Sequence, residues 1–196
     1  MLNNISSLII SSPQASDIWV NDTNTSCSDY ESSFFGIETT TQIREADKKL
    51  KDIIHFLRKH CEPRLTTLMY HDEFEPNVPN QTILYFKQIC EKYETLAASQ
   101  LLIHMYNNNL NNQKIISSIL YIVIYFDELF DSSGLTMALA GISNSSHEVQ
   151  ELSIRVFENY CTVESYKALC RIKKQEPWLQ GYIDSIKKDF CKRLCL

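Results

Sequence analysis

The stretch that decides the fold is residues 134–160, GLTMALAGISNSSHEVQELSIRVFENY. Apolar residues recur at helical spacing on both sides of a polar run, Ser143 to Glu148. The apolar positions are Leu135, Ala138, Leu139 and Ile142 before the run, and Val149, Leu152, Val156 and Phe157 after it. Ser145 and Glu148 have the Ser-x-x-Glu spacing of a capping box, which predicts the start of a second helix. The stretch is therefore predicted to be two helices joined by a tight turn.

A helix pair of this kind cannot bury both apolar faces alone, so we expect it to stack on similar neighbours. Ile115, Val149 and Leu179 each follow a predicted turn, and they are 34 and 30 residues apart. Periods of this size suit stacked helix pairs. Three pairs are predicted, over about residues 95–128, 131–160 and 162–194. Helices at 41–60 and near 80–93 would form an N-terminal cap.

The central pair resembles one repeat of the HEAT family. The matching positions are Leu135, Ala138, Leu139, Asn144, Glu148, Val149, Gln150, Glu151, Ile154 and Phe157. That family places a small polar residue, then Asp or Glu, Val and Arg, around the turn into its second helix, and Gln150 stands where Arg is usual. The resemblance implies an all-α fold, a short right-handed α-solenoid that binds a partner on its surface and performs no chemistry.

The chain before this region has two different compositions. Residues 1–40 are rich in Ser, Thr, Asn and Asp, which predicts a flexible or loosely packed N-terminal arm. Alternatively, Trp19, Phe34 and Phe35 pack on the helical body or on a partner. Residues 41–196 are predicted to be a single all-helical repeat domain. It begins with an amphipathic helix over 41–60, with the apolar stripe Ile43, Ala46, Leu50, Ile53, Ile54 and Leu57.

Proline and asparagine mark the next boundaries. Pro63 bars continuation of the first helix. Residues 61–79 are predicted to be an irregular connector, in which residues 65–70 form a short helix or a short strand. Asn80 is predicted to cap a following helix, and residues 80–106 form either one helix or two. The asparagine-rich run 107–112 is predicted to be a turn.

The rest of the chain continues the helical pattern. Residues 113–130 are apolar nearly all round, which predicts a buried helix, and residues 131–134 are predicted to be a turn. Thr162 is predicted to cap a helix that ends at Lys173, and Pro177 suits the first turn of a last helix ending at Leu194. The predicted buried side of that last helix consists of Trp178, Leu179, Tyr182, Ile183, Ile186 and Phe190.

Composition excludes several function classes. The 196 residues carry a net charge of −5, which is unsuited to phosphate-backbone binding or a polybasic membrane contact but compatible with a basic protein partner. The seven cysteines are scattered and include no Cys-x-x-Cys pair, as in a reducing compartment. Met1 to Ile10 lacks the basic residue of a secretory signal, and Ile119 to Phe126 is too short to span a bilayer. We therefore expect a cytoplasmic protein that binds neither nucleic acid nor membrane.

Few residues suggest catalysis. Glycine-rich phosphate loops, nucleophile elbows and His-Glu-x-x-His sequences are absent from the chain, so neither catalytic residues nor a cofactor or metal are expected. One alternative hypothesis is a metal-dependent enzyme centred on His55, His60, Cys61, His71 and Glu73, although adjacent His60 and Cys61 are awkward for tetrahedral zinc. Another is nucleic-acid binding through the C-terminal cations Lys173, Lys174, Lys187, Lys188, Lys192 and Arg193.

The leading hypothesis is a non-enzymatic module that binds another protein, with its oligomeric state left open. The predicted partner-binding residues lie on the second helix of the central pair and in the acidic connector: Glu148, Glu151, Arg155, Glu158, Asn159, Asp72, Glu73 and Glu75. Glu151, Arg155 and Glu158 are spaced to share one helix face. A small acidic protein without chemistry of its own also suits the inhibitor half of a toxin–immunity pair, which is the narrower form of this hypothesis.

Overall fold

A computed structural model describes residues 31–75, 78–174 and 176–195, with side chains from residue 43 onward except that of Asp131. The chain divides into two compact units, Met1–Gln42 and Ile43–Leu196. In the first unit the description starts at Glu31, and residues 31–40 are helical although no helix is predicted there. The remainder of the predicted N-terminal arm, including Trp19, lies outside the described residues, as do the side chains of Phe34 and Phe35.

The described residues are all-α, which confirms the all-α part of the predicted fold class. The helices are α1 Glu31–His60, α2 Glu62–His71, α3 Gln81–Lys92, α4 Thr95–Asn108, α5 Gln113–Tyr125, α6 Asp131–Ile142, α7 His147–Tyr160, α8 Val163–Arg171 and α9 Pro177–Arg193. A short 3-10 turn, Asp127–Leu129, lies between α5 and α6. Within the described part of the chain, extended pairing is limited to one antiparallel bridge between Glu75 and Val78.

Local capping chemistry sets several helix starts. Asn80, Asn112 and Thr162 each accept a hydrogen bond from the backbone N–H three residues later, at donor–acceptor distances of 3.0, 3.3 and 3.1 Å. These bonds satisfy N–H groups that have no partner inside the helix. Pro177 occupies the first turn of α9, where its missing N–H is no loss. The predicted caps at Asn80 and Thr162 and the start of the last helix are therefore confirmed, and the asparagine-rich turn is confirmed from Asn109, since α4 continues to Asn108.

Three predicted turns are placed differently in the structure. Most of the predicted connector is helix α2, because Pro63 lies in its first turn and buried Leu65 and Met69 hold it to the core. Residues 131–134 form the first turn of α6 rather than a separate turn. The cap of α7 is Ser146, whose hydroxyl oxygen lies 3.5 Å from the backbone nitrogen of Val149. The predicted capping box, which begins one residue earlier, is therefore wrong by one position.

Other boundaries and faces also differ from the sequence pattern. The region 80–106 is two helices, separated at Glu94, whose φ of 29° no helix can accommodate. Leu139, Trp178 and Ile43 were expected on apolar faces, but they are 48%, 49% and 61% exposed. They therefore lie on uncovered sides of α6, α9 and α1. The last turn predicted before Lys173 is absent, since α8 ends at Arg171.

Helix α5 occupies the centre of the second unit. It contacts α2, α4, α6 and α7, and eight of its residues are buried: Ile115, Ile116, Ser117, Ser118, Ile119, Leu120, Ile122 and Val123. Burial of each aliphatic side chain contributes roughly 1.5–3 kcal/mol. The predicted buried helix is confirmed, although it ends at Tyr125. None of the helices in the described ranges is both long enough and apolar enough to cross a membrane.

Helices α6 and α7 approach closely because α6 presents small residues to α7. A Cβ atom at Gly134 would meet the hydroxyl of Tyr160, and a Cβ atom at Gly141 would meet the hydroxyl of Ser153. Ala138 lies between the two glycines on the same face and is fully buried. Helix α7 in turn contacts α5, α8 and α9, so it is held on several sides.

Candidate functional site

The outer side of α7, between α5 and α9, carries two hydrogen-bonded pairs of polar side chains and a neighbouring tyrosine. We call it the α7 face and define it by Tyr121 of α5, Glu151, Arg155 and Glu158 of α7, and Tyr182 of α9. All five side chains are half-buried. The Arg155 Nη2 atom lies 2.8 Å from Glu151 Oε1, one helical turn away. Of the predicted triad of α7, Glu151 and Arg155 are therefore paired with each other, whereas Glu158 is bonded to Tyr182.

Charge states on the α7 face are set by these contacts. Tyr182 donates a hydrogen bond to Glu158 at 2.5 Å. Burial and this bond raise the pKa of the Tyr182 phenol. Burial acts to lower the pKa of Arg155. The negative charges of the Glu151 carboxylate and of the Tyr182 phenol when ionised outweigh the effect of burial, so the pKa of Arg155 is raised. Arg155 is thus held as a cation and Tyr182 as a neutral donor.

Tyr121 connects the α7 face to the loop that follows α2. Burial raises the pKa of the Tyr121 phenol, the Arg155 cation opposes this shift, and the carboxylates of Glu148 and Glu151 add to it. The Phe74 ring stacks on the Tyr121 ring, with centroids 5.1 Å apart and planes 16° apart. Aromatic pairs in this arrangement stabilise by about 0.5–1.5 kcal/mol beyond area burial. The stack therefore anchors the loop against α5.

Asn159 lies near the C-terminal end of α7, beside the α7 face. Its Nδ2 atom donates to the backbone oxygen of Ile124 at 3.1 Å and to Asp127 Oδ2 at 3.0 Å. These bonds tie the end of α7 to the end of α5 and to the 3-10 turn. Asn159 thereby has a bracing contact in addition to its predicted place at a binding surface.

A cavity of about 90 Å³ lies where the loop, α5 and α7 meet. We call it the α5–α7 cavity. Its lining residues are Phe74, Glu75, Val78, Ile83, Tyr121, Ile124, Tyr125, Arg155 and Asn159. Three of the predicted partner-binding residues therefore come together, because Glu75 lies at the same cavity as Arg155 and Asn159 of α7, about 80 residues later in the sequence.

The remaining acidic residues of the connector are placed elsewhere. The Asp72 carboxylate accepts hydrogen bonds from the backbone nitrogen and the hydroxyl of Thr82, at 2.6 and 2.8 Å. It therefore caps the start of α3, where a negative charge also suits the helix dipole. Glu73 is exposed, and its backbone oxygen accepts from Asn80 Nδ2 at 2.9 Å. Neither side chain lines the α5–α7 cavity.

The residues of the alternative metal hypothesis are spread around α1 and α2. His55, His60 and His71 are exposed, whereas Cys61 is buried. The His60 ring packs on the Phe56 ring, with centroids 4.5 Å apart. In residues 43–75, 78–130, 132–174 and 176–195, no three His, Cys, Asp or Glu side chains converge in a way that could hold a metal ion.

Several of the C-terminal cations are engaged locally. Lys187 Nζ lies 2.6 Å from Asp184 Oδ1, and this hydrogen bond lowers the pKa of the Asp184 carboxyl. Lys192 Nζ lies 3.6 Å from an aspartate one turn earlier, and Lys174 donates to the backbone oxygen of Ile142. Half of the six cations therefore have an intramolecular acceptor.

Sequence reasoning missed the aromatic residues that complete the site. Phe74 lies in a stretch predicted to be an irregular connector, Tyr121 lies in the predicted buried helix over 113–130, and Tyr182 was predicted on the buried side of the last helix. Their adjacency to α7 depends on how α5 and α9 pack, which spacing along the chain does not show. No protein-family model, no curated protein and no solved structure matches the chain.

Proposed function

We propose that this chain is a non-enzymatic, cytoplasmic protein-binding module that contacts its partner through the α7 face. One observation carries the proposal: Glu151 is bonded to Arg155 and Glu158 to Tyr182, while all four side chains remain partly open to solvent. Tyr and Arg are the residue types most enriched where interface residues contribute strongly to binding.

The proposed architecture is a short HEAT-like α-solenoid. Helix α5 contacts α7 and α7 contacts α9, as successive second helices of stacked pairs would. Each also contacts the helix before it, α4, α6 and α8 respectively. This order supports the three pairs predicted from the repeat spacing. In such an arrangement the second helices share one side of the molecule, which is where the α7 face lies.

Fixed side chains favour recognition for an energetic reason. Ordering a long side chain on association costs about 0.5–1.5 kcal/mol. Arg155 and Glu158 are already held by Glu151 and Tyr182, so less of this entropy remains to be lost. The α7 face is thus preorganised for a partner.

The narrower form of the proposal is an inhibitor of the immunity type, which binds and blocks a basic protein. The chain has a net charge of −5, and carboxylates outnumber cations along α7. Complementary charge steers association and raises its rate more than it raises affinity. A basic partner would therefore find this surface quickly at low ionic strength.

Site-specific photo-crosslinking in the native cell tests the proposal. A photoreactive amino acid replaces Glu148, which is exposed beside the α7 face, and in a matched variant it replaces Gln100, which is exposed on α4. We expect one discrete crosslinked protein through position 148 and none through position 100. Equal crosslinking through both positions would refute the choice of surface.

Affinity measurement with the captured partner supplies the second test. Arg155→Ala is expected to weaken binding about tenfold or more, as at an interface residue of high contribution. Lys87→Ala is the matched control, since Lys87 also pairs with a glutamate one turn away, at 3.9 Å on α3. Unchanged affinity in the Arg155 variant, measured by titration calorimetry, would count against the α7 face.

A further inference from the structure

We infer that the α5–α7 cavity receives one aliphatic side chain from a basic segment of the partner protein. The inference rests on the proposed function and names the chemistry of its partner. It makes the cavity, rather than the ion pairs beside it, the point at which the partner is anchored.

The cavity has an apolar floor and an exposed apolar rim. Ile83 at its floor is 3% exposed, whereas Tyr125 and Val78 at its rim are 44% and 53% exposed. Contiguous exposed apolar residues around a depression are typical of interaction sites, while scattered ones are not. Removal of the rim from water therefore favours an apolar group that fills the cavity.

The size of the cavity selects the group. Its volume is about 90 Å³, smaller than the engineered cavity of about 150 Å³ that accommodates benzene in another protein. The walls cannot widen freely, because Phe74 is stacked on Tyr121 and Asn159 is bonded to the end of α5. A Val, Leu or Ile side chain suits this volume better than the larger side chain of an aromatic residue.

The charges around the cavity select the residues next to that group. Glu75 lines the cavity, Asp127 accepts a hydrogen bond from the lining residue Asn159, and Glu148 and Glu151 lie near Tyr121 on α7. Two cations are close: Arg155 is paired with Glu151, and Lys114 donates to a backbone oxygen and lies over the Phe74 ring.

The carboxylate of Glu75 is exposed, and no cation of the chain is paired with it in the described residues. A Lys or Arg next to the inserted side chain would supply the missing positive charge. Charge complementarity therefore points to a basic partner segment rather than an acidic or a neutral one.

Selection from a phage-displayed library of random peptides on the full-length protein tests the inference. We expect the enriched peptides to share a Val, Leu or Ile within one or two residues of a Lys or Arg. Synthetic copies carry fluorescein, and their affinity is measured by fluorescence polarisation. Replacement of the shared aliphatic residue by Ala is expected to weaken binding about tenfold. This arm needs no protein variant.

Matched variants locate the peptide on the protein. Val78→Ser is expected to weaken binding about tenfold, whereas Leu96→Ser, at a residue of similar exposure on α4, leaves it unchanged. Glu75→Gln is expected to weaken binding and reduce its salt dependence. Glu91→Gln removes an exposed carboxylate from α3 and serves as its control.

The outcomes separate the inference from the proposed function. Peptides that lose affinity with Arg155→Ala but tolerate Val78→Ser and Glu75→Gln would overturn the cavity anchor and leave the α7 face standing. Enriched peptides without a basic residue would likewise overturn the inference about the cavity without contradicting the proposed role of the α7 face. Peptides insensitive to all three variants, or the absence of any binder, would count against both.

Discussion

Substitution of Gly141 by alanine gives the sharpest test of the packing described above. Gly141 is buried on α6 against α7, and an added Cβ atom would overlap the hydroxyl of Ser153 and approach the Tyr106 hydroxyl to 3.4 Å. Gly181 on α9 is the matched control, because a Cβ atom there meets nothing within 4 Å. The same substitution, glycine to alanine, is thus made once where the added methyl group meets a neighbouring side chain and once where it meets none.

The magnitude follows from what Ser153 would lose. Its hydroxyl is fully buried and donates to the backbone oxygen of Val149 at 2.7 Å. To admit the methyl group it must rotate away, and an unpaired buried hydroxyl costs about 1–3 kcal/mol. Alanine restores about 0.5–1 kcal/mol through its lower backbone entropy. We therefore expect Gly141→Ala to destabilise the fold by about 1 kcal/mol, the difference between the midpoints of these two ranges, and Gly181→Ala to stabilise it by about 0.5–1 kcal/mol.

Urea unfolding followed by far-ultraviolet circular dichroism measures both changes. The midpoint should fall for Gly141→Ala and rise for Gly181→Ala with the slope unchanged, because neither variant alters the surface exposed on unfolding. Ser153→Ala removes the obstructing oxygen. In that background Gly141→Ala should become neutral or stabilising, which a double-mutant cycle would report as a favourable coupling of about 1 kcal/mol or more.

Two results would refute this reasoning. The first is a Gly141→Ala variant as stable as the Gly181→Ala variant, which would mean that α6 and α7 do not approach as closely as described. The second is an unchanged penalty in the Ser153→Ala background, which would place the obstruction elsewhere.

The remaining predictions concern a buried phenol and two helix caps. Burial raises the pKa of Tyr106 from 10.0 to about 12, so its stabilising contribution is complete below pH 10 and is lost as the pH rises toward 12. Tyr106→Phe should therefore flatten the alkaline decline of the unfolding free energy, and an unchanged decline would contradict the assignment. Asn112→Ala should lower the unfolding free energy by about 1 kcal/mol in thermal denaturation through loss of the α5 cap. Asn111→Ala, at the exposed neighbouring residue, is the control. An equal loss of unfolding free energy in Asn111→Ala would argue against capping by Asn112. Asp72→Ala should cost about 1–3 kcal/mol in urea unfolding because two hydrogen bonds to the start of α3 lose their acceptor, whereas Glu73→Ala should change little. Similar effects at the two acids would contradict a capping role.

Helix starts were the most predictable part of the fold, because their signals are local. Asn80 and Thr162 accept hydrogen bonds from backbone groups only three residues away, so the sequence contains both partners. Pro177 acts through its own ring geometry. The buried helix α5 was also predictable, since its apolar residues run through nearly all its sides. None of these features requires knowledge of distant parts of the chain.

Features that depend on neighbouring helices were not predictable. Pro63 ends α1 and also opens α2, and spacing alone shows only the first role. Leu139 and Trp178 both match the apolar helical period, yet both are exposed. Their exposure depends on which sides of α6 and α9 other helices leave uncovered. The bond from Tyr182 to Glu158 and the α5–α7 cavity arise only when separate segments pack together.

The central position of α5 restricts how this protein can be dissected. Segments from both ends of the second unit, α2 and α7, rest against the same helix. A fragment that lacks α2 or α7 would expose isoleucine, leucine and valine side chains of α5 to water, and exposed apolar surfaces of this kind promote aggregation. Truncation would therefore report misassembly instead of the location of a binding surface. Point substitutions in the intact chain are the informative route, and the outer side of α7 can be altered without touching that helix's buried residues.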